Sequence, residues 1–372
     1  MKVGYVSTFL PQRCGIAAYT DYLIHGLQNV APYIDIKVIA EDQAAPMKSN
    51  GFEVLPCWNR TREYVTPILK HIKDLDVLHI QHENSIYSFD DRLPILLEKL
   101  PNSRKVITIH CILPAQFSPR GSVDEIYAGK IAKLADEVIV HLESQKAILM
   151  RLGIPEEKIK VIPHGTELSA EDQLKSRCKL QLPEEGKILL MFGFVKAHKC
   201  LHIAVEALYQ ILKEKNDVYL FVAGGLAPSA SETDQNYVSK VKAKIKDLGL
   251  DQNVIFPNYF YPNEDVPAIF AAADIVLFPY YEEQRSASGS LHLSIGAQRP
   301  VVVSRIPKFD ELKNICDELL ILPYNTSGIA KIVLRLFNDP EFSRYIHNSL
   351  KKYMKLTSWR NIAKKHLEIY MS

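Results

Sequence analysis

The chain has 372 residues, enough for two domains that each bury a core of their own. It is 47% hydrophobic and 24% charged, and 45 basic against 43 acidic residues leave a net charge of +2, which excludes a disordered chain and implies no nucleic-acid partner. No apolar run is long enough to span a bilayer, and the opening MKVGYVSTFLP reads as a strand and a turn rather than a secretion signal.

Strand-like segments come first. Val3 to Ser7, Ile36 to Ala40, Val77 to Gln81, Val106 to His110, Glu137 to His141 and Lys160 to Pro163 are rich in Val and Ile and bounded by turn residues. Helical spacing lies between them, as at Ile16, Tyr19, Leu23 and Leu27, or Ile126, Ile131 and Leu134. Strand and helix in alternation build a parallel sheet covered on both faces. Residues 165–186 interrupt the pattern with polar, irregular sequence and read as an interdomain connection.

Alternation resumes at Lys187. Strands are expected at Ile188 to Phe192, Val218 to Ala223, Val254 to Phe256, Ile275 to Phe278, Val301 to Ser304 and Leu319 to Leu322, with a helix over Leu201 to Lys213. The basic run Lys240 to Lys246, with Val238, Val241 and Ile245 interleaved, reads as a solvated helix face; contact with an anionic membrane surface is the sharper alternative. A last helix, Ser358 to Tyr370, keeps Trp359, Ile362, Ala363, His366 and Tyr370 in helical register, with Ser358 as its expected cap. The class is therefore α/β, with two successive Rossmann-like domains.

Open α/β sheets bind ligands at the carboxyl ends of their strands. After Ile275 to Phe278 comes the turn Ser286-Ala287-Ser288-Gly289-Ser290, on which a helix beginning at Leu291 opens. Unpartnered N–H groups and the helix dipole make such a terminus an anion site, and Gly289 admits a diphosphate close to the backbone. A capped helix without a ligand has the same sequence appearance. Gly193 leads into Lys196 and Lys199, two cations at a helix start suited to a departing diphosphate; two solvated lysines are the plain alternative. Gly224 marks a close-approach turn, and Asn258 and Tyr259 could frame a nucleobase or simply pack their own loop.

In the first half, Gly15 ends the loop after the first strand and lets a sugar or phosphate near the backbone. Gln81, His82 and Glu83, then His110, then His164, follow three strands at one sheet edge. A lone histidine there is usually structural, but three polar clusters on one edge suggest a site. None has ligand-pair spacing, so no metal is expected. The six scattered cysteines lack a C-x-x-C pair, which argues against zinc and against disulfides, and for a reduced, cytoplasmic setting. The G-x-G-x-x-G fingerprint is absent, which weakens a dehydrogenase reading.

PQRCGIAAYT, HIQHEN, ITIHCILP, VIPHGTE, MFGFVKAHKCLHIAVEAL, LFVAGG, QRSASGSLHLSIGAQRPVVVS and TSWRNIAKKHLEIY, in this order, resemble the family-four retaining glycosyltransferases over nearly the whole chain. The resemblance implies the GT-B fold. Its two Rossmann-like domains face each other across a cleft, and the C-terminal helix crosses back to the N-terminal domain. It implies an acceptor domain, 1–168 with 357–372, and a nucleotide-sugar-binding domain, 169–356. Lys196 and Lys199 would grip the donor diphosphate, and Ser286, Ser288, Gly289, Ser290 and Leu291 would offer backbone N–H groups. His110 would be the active-site histidine near the transferred sugar, and Gly15 would lie beside the diphosphate. Two glutamates eight apart are usual in better-known members. Here Arg285 and Leu293 stand in those places, with Glu282 and Glu283 close by as substitutes for the first, and the Ser-x-Ser-Gly turn resembles a subgroup.

The expectation is transfer of a hexose, mannose or glucose, from a GDP- or UDP-sugar to a hydroxyl of a glycan or lipid-linked acceptor. Configuration would be retained by same-face attack, without cofactor or metal. A non-catalytic sugar-nucleotide or glycan-binding subunit and another GT-B enzyme, such as an epimerase, are the alternatives.

Overall fold

The computed structural model describes residues 1–372 apart from Arg13, Pro101, Asn102, Pro228, Ser229 and residues 282–284, and apart from the side chain of Arg285. The first half supplies β1 (Lys2–Ser7), β2 (Asp35–Glu41), β3 (Met47–Ser49), β4 (Phe52–Trp58), β5 (Val77–His82), β6 (Arg104–Ile109), β7 (Cys111–Ile112), β8 (Glu137–Val140) and β9 (Ile159–Val161). The second supplies β10 (Lys187–Phe192), β11 (Val218–Ala223), β12 (Val254–Ile255), β13 (Ile275–Phe278), β14 (Arg285–Ser286), β15 (Val301–Ser304) and β16 (Leu320–Ile321). The chain divides into two compact units. Unit 1 holds Met1–Gly165, Glu283–Ala287 and Thr357–Ser372, and unit 2 holds Thr166–Glu282 and Ser288–Leu356.

The sheet of unit 1 runs β3-β4-β2-β1-β5-β6-β8-β9, parallel except for the hairpin partner β3. Its strand order reverses between β1 and β5, so the loops after these two strands flank the switch point where such sheets take ligands. Strand alternation sends Ile39, Ile80 and Ile107 into one core and Val38, Tyr5 and Val106 into another on the opposite face. The second core is closed by the helices Gly15–Val30 and Trp359–Met371. Ser358 occupies the N-cap position of the latter but makes no side-chain cap bond, contrary to expectation.

Unit 2 has one all-parallel sheet, β12-β11-β10-β13-β15-β16, with its reversal between β10 and β13. Its core is continuous around the sheet and includes the buried face of the helix Leu201–Ile211. The connection contains a helix, Gln173–Lys179, pinned by Arg177. That side chain donates to Asp274 at 2.7 Å and to the carbonyls of Ala272, Glu184 and Gly186.

Four short or atypical strands escape the sequence pattern. β4 carries Pro56 and Glu53 in an edge-side position, where β2 shifts register at Ala40 and Glu41. β3 is fully exposed. β14 pairs antiparallel with β7, Ser286 opposite Cys111, which is why residues 283–287 group with unit 1 rather than with the second domain that the sequence suggested. The basic run 240–246 lies in the helix Glu232–Asp247, whose Val238, Val241 and Ile245 are buried in the core, so the apolar side is already covered. No helix among the described residues is long and apolar enough to cross a membrane.

Candidate functional site

At the switch point of unit 2, three loops pack backbone against backbone. Gly193 ends β10 with φ of +90°, a conformation that favours glycine, and its N–H donates to Ala223 O at 3.0 Å. A Cβ on Gly224 would lie 2.1 Å from Gly193 O, so only glycine lets the loops after β10 and β11 touch. Val195 N–H donates to Gly225 O at 2.9 Å, and Leu226 N–H donates to Asn258 Oδ1 at 3.2 Å, which ties in the loop after β12. Asn258 thus braces a loop, while Tyr259 stands exposed with its ring edge-on to Tyr261.

The loop after β13 joins the same group. Tyr281 N–H donates to His198 O at 2.7 Å. Lys199 Nζ lies 5.6 Å from the centre of the Tyr280 ring and donates to Phe192 O at 3.4 Å. Lys196 differs: its ammonium donates to Asp234 Oδ2 at 2.7 Å. The ammonium, then the Ser231 hydrogen bonds, hold the Asp234 carboxyl down at about 2. The two lysines of the motif therefore have distinct states, a distinction that spacing alone does not reveal.

The helix after the serine turn begins at Gly289 rather than Leu291 and runs to Gly296. Ser288 is its N-cap, and its Oγ accepts from Leu291 N–H at 3.2 Å. Leu291 is therefore not the backbone donor that the turn suggested: its N–H serves the cap and its side chain is buried in the core. The N–H groups of Gly289 and Ser290, at the first two helical positions, have no partner inside the helix and remain suited to an anion. Ser286 belongs to β14 of unit 1. Glu282 and Glu283 lie outside the described residues. Leu293 is half-buried and packs on the core of unit 2.

Behind this helix lies a buried polar chain without a sequence signal. Thr166 Oγ1 is 2.6 Å from His292 Nδ1, His292 Nε2 is 3.0 Å from Glu311 Oε2, and Tyr353 O–H donates to the same oxygen at 2.7 Å. A carboxylate only accepts, so His292 donates to Glu311 from Nε2. A groove of about 520 Å³ in unit 2 is lined by Lys187, Asp274 and Arg299. It lies at the amino ends of β10, β13 and β15, the edge where such sheets do not carry their ligands.

In unit 1 the predicted polar cluster divides. Period-two alternation puts His79 and Gln81 on one face of β5 and His82 on the other. The His82 ring is therefore not beside the His110 ring, although His110 N–H donates to His82 O at 3.0 Å. It stacks on Tyr87 at 5.7 Å and leans on Tyr127 at 5.9 Å, and neither ring nitrogen has a hydrogen-bond partner. Burial lowers it to about 3, which keeps it neutral. Glu83 turns back to accept from Ser85 N–H at 2.6 Å.

Gln81 and His110 do meet: Gln81 Oε1 lies 2.8 Å from His110 Nε2. His110 Nδ1 lies 3.0 Å from His141 Nε2, and His141 Nδ1 lies 2.8 Å from the carbonyl oxygen of Ile162. Tyr19 is the hub of this region, edge-on to His110 at 4.7 Å, to His164 at 5.3 Å and to Trp359 at 5.1 Å. Burial, then the neighbouring His141, pushes His110 well below the usual histidine range. Gly15 opens the helix Gly15–Val30, and nothing lies within 4 Å of where its Cβ would be. The packing does not demand glycine there. Among the described residues no three His, Cys, Asp or Glu side chains converge as a metal site needs. His141 and Tyr19 could have been suspected from their places at a strand end and on the facing helix.

Residues 15–170 match the model of Glycosyltransferase Family 4, and residues 186–339 match that of Glycosyl transferases group 1. A 2-deoxystreptamine glucosyltransferase of Streptomyces kanamyceticus is 24% identical over 249 residues, 63% of this chain and 61% of its own length. The chain thus spans somewhat under two thirds of that relative. Sucrose-phosphate synthase from Thermosynechococcus elongatus superposes with a TM-score of 0.78 at 19% identity, covering 100% of this chain and 98% of that one. Anabaena Alr3699/HepE, solved in complex with UDP, gives 0.75 at 17% identity and covers 99% of both. The GT-B architecture expected from the motifs is the architecture found.

Proposed function

The chain belongs to the family-four, group 1 glycosyltransferases, and from that premise we propose that it transfers a hexose from a nucleoside diphosphate sugar to a hydroxyl of a glycan or lipid-linked acceptor, with retention. One observation carries the donor half of this reading. At the strand-order reversal of unit 2, the loop bearing Gly193 and Lys199 is tied to the loop after β13 by the Tyr281–His198 bond, and that second loop leads to the open N–H groups of Gly289 and Ser290. A diphosphate there meets a cation and a helix N-terminus together. The acceptor hydroxyl attacks the anomeric carbon on the face the diphosphate leaves. The new C–O bond forms as the bond to phosphate breaks, and the acceptor proton passes to the departing phosphate oxygen. Lys199 and the two N–H groups stabilise charge that grows on that oxygen.

Mannose from GDP-mannose and glucose from UDP-glucose are the two donors in view. A structural neighbour solved with UDP-glucose supports the second, and the subgroup resemblance supports the first. Thermal shift against GDP, UDP and ADP separates them, because a ligand that binds only the folded state raises the melting temperature. Lys199→Ala is expected to lower kcat by about 10²–10³-fold, as removal of one preorganised donor does. An unchanged rate in a folded variant rules out the leaving-group role. The half-buried Leu293, where relatives usually carry a glutamate, favours a second reading, a binding subunit without transferase activity. Release of free hexose from the donor in the absence of acceptor separates the two, since a binder produces none.

A further inference from the structure

A line of buried hydrogen-bonding groups crosses unit 1 from the C-terminal helix to His110. Tyr5 Oη and Tyr370 Oη are 2.7 Å apart, and Tyr370 Oη is 2.6 Å from His79 Nδ1. His79 Nε2 is 2.7 Å from Thr108 Oγ1 and 3.4 Å from the Gln81 amide, whose other end meets His110. His110 then meets His141, and His141 meets the Ile162 carbonyl. Tyr5, His79, Gln81 and Thr108 are all 0% exposed, so bulk solvent does not reach them.

The far end of this line fixes its polarity. A carbonyl oxygen only accepts, so His141 donates to Ile162 from Nδ1. A neutral His141 then has its lone pair on Nε2, and His110 must donate to it from Nδ1. That leaves the lone pair of His110 on Nε2, facing Gln81. The two ends of an amide have the same shape and exchange by a half-turn, so the bonding chain decides which end faces which ring. The NH2 group belongs at His110 and the oxygen at His79, whose Nε2 proton is shared between that oxygen at 3.4 Å and Thr108 Oγ1 at 2.7 Å. His79 Nδ1 in turn accepts from Tyr370, and Tyr370 accepts from Tyr5. In this direction the two tyrosine hydroxyls and the three imidazoles each have an acceptor. The reverse direction strands the Tyr5 hydroxyl proton in the core and puts an extra proton on one of the two imidazoles at the far end.

We infer that the Ile162 carbonyl, acting through His141, fixes His110 as the tautomer with its proton on Nδ1 and its lone pair on Nε2, and that Gln81, His79 and Tyr370 take their direction from it. His141 and Gln81 are positioning residues. A substrate hydroxyl that displaces the Gln81 amide from His110 then donates to Nε2, and His110 serves as an acceptor. This consequence rests on the transferase reading; the tautomer itself does not.

The test uses the full chain with 15N-labelled histidine rings, His110 being assigned by H110Q. Two-bond proton–nitrogen correlation at neutral pH is expected to show His110 with a protonated Nδ1 and an unprotonated Nε2, and His79 with the opposite pattern. A protonated Nε2 on His110 in the native protein overturns the inference. Tyr370→Phe removes the donor to His79 and is expected to mix both tautomers at His79 while His141 holds His110 unchanged. A mixed His110 pattern in that variant, folded by its circular dichroism, overturns the assignment to His141 and the Ile162 carbonyl. Gln81→Glu supplies only acceptors and is expected to force a proton onto His110 Nε2. If that variant does not fold, the native spectrum and Tyr370→Phe still decide. All three spectra are read without any transferase assay, so an inactive protein counts against the proposed reaction and leaves the tautomer result intact.

Discussion

Lys196 meets its counter-charge inside the folded protein, and that changes what a phosphate has to do to bind it. Asp234 is itself anchored by Ser231 in a reciprocal cap of the helix Glu232–Asp247. Its carboxyl sits at about 2 against an ordinary 3.8. A depressed acid contributes stability that is fully present above its ordinary value and is lost as pH falls through the folded one. The Lys196–Asp234 pair is therefore intact near neutrality and dissolves only as pH falls from about 3.8 to about 2. Carbon-detected titration of Asp234 is expected to show its value climbing toward the ordinary range in Lys196→Ala, while the Ser231 bonds keep it from arriving there. Adding UDP or GDP tests the role of Lys196 on the same signal. A diphosphate that captures the ammonium raises Asp234, and one that leaves it in place does not.

Among the elements, the helices Gly15–Val30 and Trp359–Met371 approach most tightly at Gly26. A Cβ there would lie 2.8 Å from the Trp359 carbonyl oxygen and 3.1 Å from Ala363 Cβ. Gly26→Ala gains about 1 kcal/mol of helix propensity, but the Trp359 carbonyl and the Ala363 methyl that it meets cannot swing aside. Overpacking costs about 1–3 kcal/mol, so chemical denaturation is expected to report a net loss. Both helices were legible from their apolar spacing, as were twelve strands, because buried parallel strands concentrate Val and Ile between turn residues. The hydrogen-bonded histidines were only half legible. HIQHEN announced polar residues at a strand end, but which of them meet depends on the pleat, and the pleat separates His82 from Gln81. Thr166, His292 and Glu311 lie far apart along the chain, and no local pattern links them. The Ser288 cap was readable as a serine ahead of a helix; that it uses Leu291 N–H becomes evident only once the helix start is fixed at Gly289.

For the whole molecule, the decisive fact is that unit 1 is assembled from both ends of the sequence. Its second core contains Trp359, Ile362, Ile369 and Tyr370 beside Tyr5, Tyr19 and Leu23. Full burial of each large apolar side chain contributes about 1.5–3 kcal/mol, and a domain as a whole is stable by only about 5–15 kcal/mol. Residues 1–165 alone are therefore expected to lack a cooperative thermal transition. The same segment joined through a flexible linker to 357–372 is expected to recover one by circular dichroism; a sharp transition in the shorter piece would show that the helix is dispensable.

During synthesis this arrangement imposes a delay. Residues 1–165 cannot close their core until the helix Trp359–Met371 has been made, some two hundred residues later, on the order of ten to forty seconds at ordinary elongation rates. Over that interval unit 2 can fold behind it, while the surface of Tyr5, Tyr19 and Leu23 stays uncovered and open to chaperones.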